Sequence, residues 1–198
     1  SHFSYRDRCP KAEQTFPVPK SYSGAAKDSL ALRNAYDNAI VATDRFLASV
    51  IELLRAQECP ASMLYISDHG EDVYDDARER FLHSSPDISY YQLHVPMLLW
   101  MSPAYREAYP QLVATAQANQ RRPISTNAVF PTMLELAGIR TRYRRDSLSV
   151  VSSSLRTGTR YYLNDRYACV PLEALDLAEE DVCLFQKKGL QLPLPSCP

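Results

Sequence analysis

The longest regular pattern in the sequence is a series of positions spaced three and four residues apart between residues 30 and 57. Asp28 or Ser29 is available to cap the start of this series, and Pro60 follows its end. Such spacing predicts a long amphipathic α-helix that packs one face on a sheet. The repeating positions are Leu32, Tyr36, Ala39, Ile40, Thr43, Leu47, Val50, Ile51 and Leu54.

Two short apolar runs, at residues 63–66 and 95–101, follow this helix. Because they are brief and do not alternate with polar residues, they predict strands that are buried on both faces, as in a parallel sheet covered by helices. The connection between them is long, polar and acidic, and it begins where the first strand ends. In open α/β sheets ligands bind beyond the carboxyl ends of strands, so this connection is a candidate functional segment.

The other elements are predicted from shorter signals. The proline-containing opening, residues 1–29, is predicted to be an extended surface loop. A second helix is predicted from Ser125 or Thr126 to about residue 137, with Gly138 ending it and Pro131 near its first turn.

Beyond this helix, the sequence RYYLN at residues 160–164 predicts a strand. The proline-rich tail is predicted to be loop, with a short hairpin at residues 182–190. The alternation of helices and buried strands over 198 residues indicates a single α/β domain spanning residues 1–198.

Composition narrows the possible partners. Apolar residues make up 45% of the chain, charged residues 23%, and the net charge is −1, so the chain is an ordinary globular one and no nucleic-acid partner is expected. No apolar run reaches the roughly 20 residues that span a bilayer. Several arginines predict either a solvated face or an attraction to anionic lipid surfaces. These are Arg121, Arg122, Arg140, Arg142, Arg144 and Arg145.

Five cysteines show neither CxxC spacing nor histidines at zinc-finger intervals, which disfavours a structural zinc site. Three of them lie in the last thirty residues, a pattern that favours disulfides in an oxidising compartment over free buried thiols, although spacing does not give their pairing. They are Cys9, Cys59, Cys169, Cys183 and Cys197.

The candidate chemistry centres on Asp68 and His69, which directly follow the first predicted strand. A carboxylate oxygen and an imidazole nitrogen at this position could bind a divalent cation, but they make only half of a zinc site. The alternative is an aspartate that caps the following turn and a histidine that packs beside it. Glu71 could orient His69, whereas His2 and His83 are candidate contacts for a phosphate or a metal.

Six segments of the sequence together carry a resemblance to a known family. The sequence resembles the C-terminal half of the sulfatase-like domain of bacterial phosphoethanolamine transferases from residue 1 to about residue 165. The strongest matches are SDHGE and VPMLLWMS. In chain order the segments are SHFSYRDRCP, AYDNAIVATDRFLASVIELL, YISDHGE, FLHSSP, HVPMLLWMS and STNAVFPTMLELAGI.

The resemblance implies an α/β/α sandwich of the sulfatase and alkaline phosphatase type on the periplasmic face of the bacterial inner membrane. It implies transfer of phosphoethanolamine from phosphatidylethanolamine, the phospholipid donor, to lipid A or another glycan acceptor, through a phosphothreonine intermediate. Asp68 and His69 match the family's ligands for Zn²⁺, which Mn²⁺ or another divalent cation could replace. His2 and His83 match histidines near the substrate phosphate or a second metal. Glu71 is expected to orient His69 without binding the metal itself.

In such enzymes the nucleophilic threonine and the transmembrane region lie upstream of the matched segment. The sequence starts at Ser1 without an initiator methionine, so we expect a fragment that is inactive alone or completed by another chain. Ser84 follows His83 where the family often has glycine, and EDVYDDARER is unlike the family, which leaves the acceptor open. The alternatives are a glycerophosphate transferase of the lipoteichoic acid type, a sulfatase, and a non-catalytic domain that binds glycans or partners.

Overall fold

The computed structural model describes residues 5–20, 28–83, 88–164 and 166–189. Its helices and strands alternate along the chain, and short 3₁₀ turns lie between some of them. In chain order the elements are α1 (Tyr5–Arg8), α2 (Ser29–Ala56), β1 (Ser62–Ile66), β2 (Asp72–Val73), β3 (Phe81–Leu82), α3 (Tyr90–Leu93), β4 (Met97–Met101), α4 (Pro103–Ala108), α5 (Pro110–Asn119), α6 (Val129–Leu136), β5 (Tyr161–Leu163), β6 (Cys169–Pro171) and α7 (Glu179–Lys187).

The long helix α2 forms where the sequence predicts it and begins at Asp28, whose Oδ1 accepts a hydrogen bond of 3.0 Å from the Ala31 N–H. Its first half packs against α1 and the β2–β3 hairpin, around buried side chains that include Leu32 and Val73. Its second half is more open, with Phe46 64% and Leu53 67% exposed. The predicted sheet contact is therefore made in part, with the small β2–β3 sheet.

The two predicted strands pair with each other, but the parallel arrangement is wrong. β1 and β4 run antiparallel, with Ser62 opposite Met101 and Ile66 opposite Met97. Burial on both faces is also wrong, because Leu98 is 41% exposed. A short unbroken apolar run indicates a strand without encoding its direction, so the sequence could not separate the two pairings.

The helix predicted from residues 125–126 onward is confirmed as a 3₁₀ turn followed by α6. Pro131 lies in the first turn of α6, where its missing N–H costs no helical hydrogen bond. Gly138 ends the helix with φ +65°, a conformation that residues with a Cβ rarely adopt. The predicted cap is wrong, because the Ser125 side chain makes no capping hydrogen bond.

Two loop predictions are also wrong. The opening segment forms α1 and a 3₁₀ turn, and it buries Tyr5 and Cys9 at 2% exposure each. The hairpin predicted at residues 182–190 is the helix α7 over its described part. Three acidic residues in the first turn of α7 favour a helix N-terminus, and Val182 and Phe185 lie three residues apart on its buried face. The strand predicted at RYYLN is confirmed as β5.

The tail contains a disulfide, as the cysteine pattern predicted, because Cys183 is disulfide-bonded. Cys9, Cys59 and Cys169 carry free thiols, and Cys197 lies outside the described residues. Within the part of the chain that the structure describes, no helix is both long enough and apolar enough to cross a bilayer.

Candidate metal centre

The candidate site begins at a tight turn after β1. The Ser67 hydroxyl donates a hydrogen bond of 2.7 Å to the backbone carbonyl of His69, and Oδ1 of Asp68 accepts one of 3.1 Å from the His69 N–H. Side chains of this kind stabilise turns by bonding to nearby backbone groups. The alternative role for Asp68, capping the turn, is therefore compatible with a role as a ligand.

Gly70 fixes the position of this turn against α3. Its N–H donates a hydrogen bond of 2.8 Å to the Gln92 carbonyl. A Cβ atom at Gly70 would lie only 1.9 Å from the carbonyl oxygen of Tyr91, a distance that no side chain tolerates. Only glycine allows the backbone of the turn to approach α3 this closely.

The β2–β3 hairpin brings two further candidate side chains together. Asp72 pairs with Leu82 across the hairpin, so Glu71, just before β2, and His83, just after β3, lie side by side. The hairpin is strained, because Tyr74, Glu79 and Leu82 all have positive φ values (61°, 50° and 66°). Such a backbone persists only when surrounding contacts hold it.

His69, Glu71 and His83 form a compact cluster whose possible ligand atoms all lie within 4.8 Å of one another. The two imidazole rings have centroids 3.8 Å apart, and Nδ1 of His83 lies 3.0 Å from Oε2 of Glu71. The Glu71 side chain is 6% exposed, and neither of its carboxylate oxygens accepts a hydrogen bond from the described residues. A buried carboxylate without such bonds is costly, unless a cation or a further donor compensates it.

The backbone contact of His69 determines which ring nitrogen carries a hydrogen. Nδ1 of His69 lies 2.9 Å from the Gly70 carbonyl oxygen, which can only accept a hydrogen bond. Nδ1 therefore carries a hydrogen, and in the neutral form of the ring the lone pair lies on Nε2. This is the arrangement that a histidine ligand needs.

Asp68 lies beside the cluster, with its Oδ2 3.8 Å from Nε2 of His69, and its side chain is 86% exposed. Partial burial raises the pKa of Asp68, but the His69 ring and nearby backbone N–H groups outweigh it and hold this pKa below its ordinary value. The carboxylate is therefore ionised at neutral pH and accessible to a cation from solvent.

The structure brings together His69, Glu71 and His83 and leaves Asp68 beside them. Glu71, which the sequence suggested as a residue that orients His69, lies among the possible ligands themselves. His2 lies outside the described residues. The assignment of Asp68 and His69 as metal ligands stays a prediction.

The acidic connection between β1 and β4 is not solvated throughout. Asp72 is 2% exposed and accepts hydrogen bonds from the Ser89 hydroxyl and the Gln92 amide. Asp76 is paired with the guanidinium of Arg78. Buried carboxylates need such partners, and sequence spacing does not reveal them because the partners come from other elements.

The feature that the sequence missed is Asp181, which is fully buried on α7. Oδ2 of Asp181 accepts a hydrogen bond of 2.6 Å from Nη1 of Arg78 and one of 3.1 Å from Nη2 of Arg80. Its Oδ1 also accepts a bond of 2.8 Å from the Tyr90 N–H. Arg78 and Arg80 lie about a hundred positions away in sequence, so no local motif signals the contact.

The titration of Asp181 predicts part of the acid sensitivity of the fold. Burial alone raises the pKa of Asp181, but hydrogen bonds from Arg78, the Tyr90 backbone and Arg80 outweigh it and lower this pKa below its ordinary value. Because the folded-state pKa is the lower one, the carboxylate contributes stability above about pH 4 and loses it as pH falls through the folded-state value. In denaturant titrations between pH 7 and pH 2.5, Asp181→Asn should show a shallower loss of unfolding free energy below pH 4 than the unsubstituted protein.

The control for this titration is Asp44→Asn, which changes an exposed aspartate on α2. It should retain the acid dependence of the unsubstituted protein. Equal slopes for Asp181→Asn and the unsubstituted protein below pH 4 would contradict the assignment.

His94 and Arg144 make structural contacts outside the cluster. His94 accepts or donates a hydrogen bond of 3.0 Å with the Tyr90 hydroxyl and stacks on that ring, and it lies outside the cluster. Among the dense arginines, Arg144 is paired with Glu135 and Asp146. The solvated face predicted for these arginines therefore includes ion pairs.

A family model described as sulfatase matches residues 1–139, which is more than half of the chain. The chain belongs to the sulfatase family. Its α/β fold is of the sulfatase and alkaline phosphatase type, as the solved structures described below confirm.

Among curated proteins, the chain is similar to phosphoethanolamine transferases. It is 34% identical to EptA of Salmonella typhimurium over 120 residues, covering 57% of this chain and 21% of that protein. It is 27% identical to EptC of Escherichia coli K12 over 167 residues, covering 83% of this chain and 28% of that protein. The matched parts thus span only 21% to 28% of the length of these relatives.

Among solved structures, the C-terminal periplasmic domain of EptC from E. coli matches with a TM-score of 0.74 and 25% identity, over 88% of this chain and 50% of that one. The same domain has also been solved in complex with zinc. The soluble domain of lipooligosaccharide phosphoethanolamine transferase A from Neisseria meningitidis matches with a TM-score of 0.67 and 25% identity, over 77% of this chain and 47% of that one. These matches confirm the resemblance inferred from the sequence.

Proposed function

We propose that this chain is the C-terminal part of the catalytic domain of a metal-dependent phosphoethanolamine transferase. The protein would act at the periplasmic face of the bacterial inner membrane, with phosphatidylethanolamine as donor and lipid A or another glycan as acceptor. The observation that carries the proposal is the cluster of His69, Glu71 and His83 at the end of β1, in a chain whose curated relatives are phosphoethanolamine transferases.

The residues fit a divalent cation. Two imidazoles and two carboxylates are nitrogen and oxygen ligands that zinc accepts. The buried carboxylate of Glu71 accepts no hydrogen bond of good geometry from the described residues, and its Oε2 lies 3.0 Å from Nδ1 of His83. We assign Asp68 and His69 as ligands, with Nε2 of His69 as the donor atom. Zinc is the proposed ion because a zinc complex of the EptC domain exists, and Mn²⁺ would suit the same oxygen and nitrogen donors less closely.

A bound divalent cation would lower the pKa of a hydroxyl nucleophile and offset the negative charge of a phosphoryl group. The side chains around it would position the substrate. His83, held 3.0 Å from Glu71, is placed to donate a hydrogen bond to a phosphate oxygen or a proton to a departing alkoxide, and His2 is proposed for a similar contact. In this proposal a threonine outside these 198 residues is the nucleophile and forms the phosphothreonine intermediate.

The proposal is tested with the full-length protein, because the chain alone spans only part of its relatives. Purified protein with Zn²⁺ should release diacylglycerol from phosphatidylethanolamine and should not consume phosphatidylglycerol or an aryl sulfate ester. Consumption of phosphatidylglycerol would instead identify a glycerophosphate transferase. Hydrolysis of the sulfate ester would identify a sulfatase, and no turnover of any of the three with metal bound would favour a binding domain.

A further inference from the structure

We infer that Asp181, in the C-terminal helix α7, is a positioning residue for Glu71 and His83. Asp181 acts through the two arginines of the β2–β3 hairpin. The inference rests on the proposed function, in which Glu71 and His83 belong to the metal and substrate site. α7 lies beyond residue 139, where the match to the sulfatase family model ends. The inference therefore assigns a role in the site to a segment that this family match does not include.

The contact between α7 and the hairpin is specific in its geometry. Both oxygens of the fully buried Asp181 face arginines, with Arg78 donating through Nη1 and Nη2 at 2.6 and 3.0 Å. Arg80 donates through Nη2 to the same two oxygens at 3.3 and 3.1 Å. Planar guanidinium groups that bind a carboxylate through two atoms restrict orientation as well as distance.

These two arginines connect Asp181 to β3, the strand that directly precedes His83. Arg78 lies in the connection between β2 and β3, and Arg80 directly precedes β3, which ends one residue before His83. The backbone of Leu82, between them, has a positive φ of 66°. A non-glycine residue in this conformation needs its neighbours to hold it, and Asp181 supplies the only carboxylate described on α7 that binds both arginines.

Asp181 also binds the N-terminus of α3. Its Oδ1 accepts the hydrogen bond from the Tyr90 N–H, the first residue of α3. The C-terminal part of α3 provides the Gln92 carbonyl that binds Gly70, next to His69. One carboxylate thus links the hairpin that precedes His83 to the helix that binds the turn at His69, so its loss should change the spacing between His69 and His83.

The test compares Asp181→Asn with Glu179→Gln in the full-length protein. Asparagine keeps the shape of aspartate but removes its charge, whereas Glu179 is an exposed acidic residue on the same helix and serves as the matched control. Hydrogen–deuterium exchange of the metal-free proteins measures the hairpin directly, and titration with Zn²⁺ alone measures the consequence for the site. We expect Asp181→Asn to speed exchange at residues 72–82 at least tenfold and to weaken Zn²⁺ binding about tenfold, with Glu179→Gln unchanged in both.

The outcomes separate this inference from the proposed function. Unchanged hairpin exchange in folded Asp181→Asn overturns the inference, and so does a loosened hairpin with unchanged Zn²⁺ affinity. If the unsubstituted protein binds no Zn²⁺, the proposed function is overturned. The hydrogen–deuterium exchange measurement still decides whether Asp181 positions the hairpin. If Asp181→Asn does not fold, Arg80→Gln is tested instead, because Asp181 then keeps its bonds to Arg78 and Tyr90. Faster hairpin exchange and weaker Zn²⁺ binding, each by less than tenfold, support the inference. No change in either measurement overturns it.

Discussion

Replacing His69 with alanine in the full-length protein is expected to lower the rate of phosphoethanolamine transfer about a thousandfold or more. A loss of this size corresponds to about 4 kcal/mol of transition-state stabilisation, a reasonable contribution for a metal that balances phosphoryl charge. The structure gives the reason, since a possible ligand nitrogen of His69 lies within 4.8 Å of the possible ligand atoms of Glu71 and His83. Alanine removes a nitrogen ligand of the proposed site, so bound zinc should be lost or held much more weakly.

The matched control is His94→Asn, because His94 is a histidine outside the cluster that contacts Tyr90. It should keep both bound zinc and transfer near the level of the unsubstituted protein. Bound zinc is measured by elemental analysis of protein purified without added metal, and folding by circular dichroism. Full zinc content and full transfer in folded His69→Ala would refute the assignment of His69.

Replacing Gly70 with alanine is expected to lower the free energy of unfolding by about 2 to 4 kcal/mol, through overpacking and a lost hydrogen bond. The new Cβ would meet the Tyr91 carbonyl oxygen at 1.9 Å, so the turn must move away from α3. That movement breaks the bond between the Gly70 N–H and the Gln92 carbonyl. Because Gly70 lies between His69 and Glu71, zinc binding should weaken together with stability.

Gly158→Ala is the control for this substitution, because a Cβ at Gly158 meets no atom within 4 Å. Its unfolding free energy in urea should change by no more than about 0.5 kcal/mol. An unfolding free energy for Gly70→Ala equal to that of Gly158→Ala would show that the turn does not require its close approach to α3.

The elements that the sequence predicted well are those whose signals are local. The periodicity of α2, its cap at Asp28 and the glycine after α6 all depend on residues within a few positions of one another. The direction of β4 relative to β1 depends on how the chain returns between them, and apolar content carries no such information. The sequence does not predict α7, because a few apolar residues between prolines are compatible with either a short helix or a hairpin.

The residues of the candidate site also differ in how well the sequence predicted them. The order of SDHGE and FLHSSP identified His69 and His83 as residues of one site, because the resemblance carried the long-range information. Glu71 could not be placed among the possible ligands from spacing, since the pairing of β2 with β3 puts it beside His83. Asp181 gave no signal, because its partners Arg78 and Arg80 are distant in sequence and a buried ion pair has no local motif.

The proposed site requires His69 to bind a divalent cation beside Glu71 and His83. Crystals of the full-length protein, or of its complete periplasmic domain, grown with Zn²⁺ and measured at the zinc absorption edge would locate the ion directly. We expect an anomalous peak about 2.0 to 2.1 Å from Nε2 of His69, the usual distance for a zinc–histidine bond. Anomalous peaks found only elsewhere, with His69 more than about 4 Å from any ion, would contradict the assignment of His69 as a ligand.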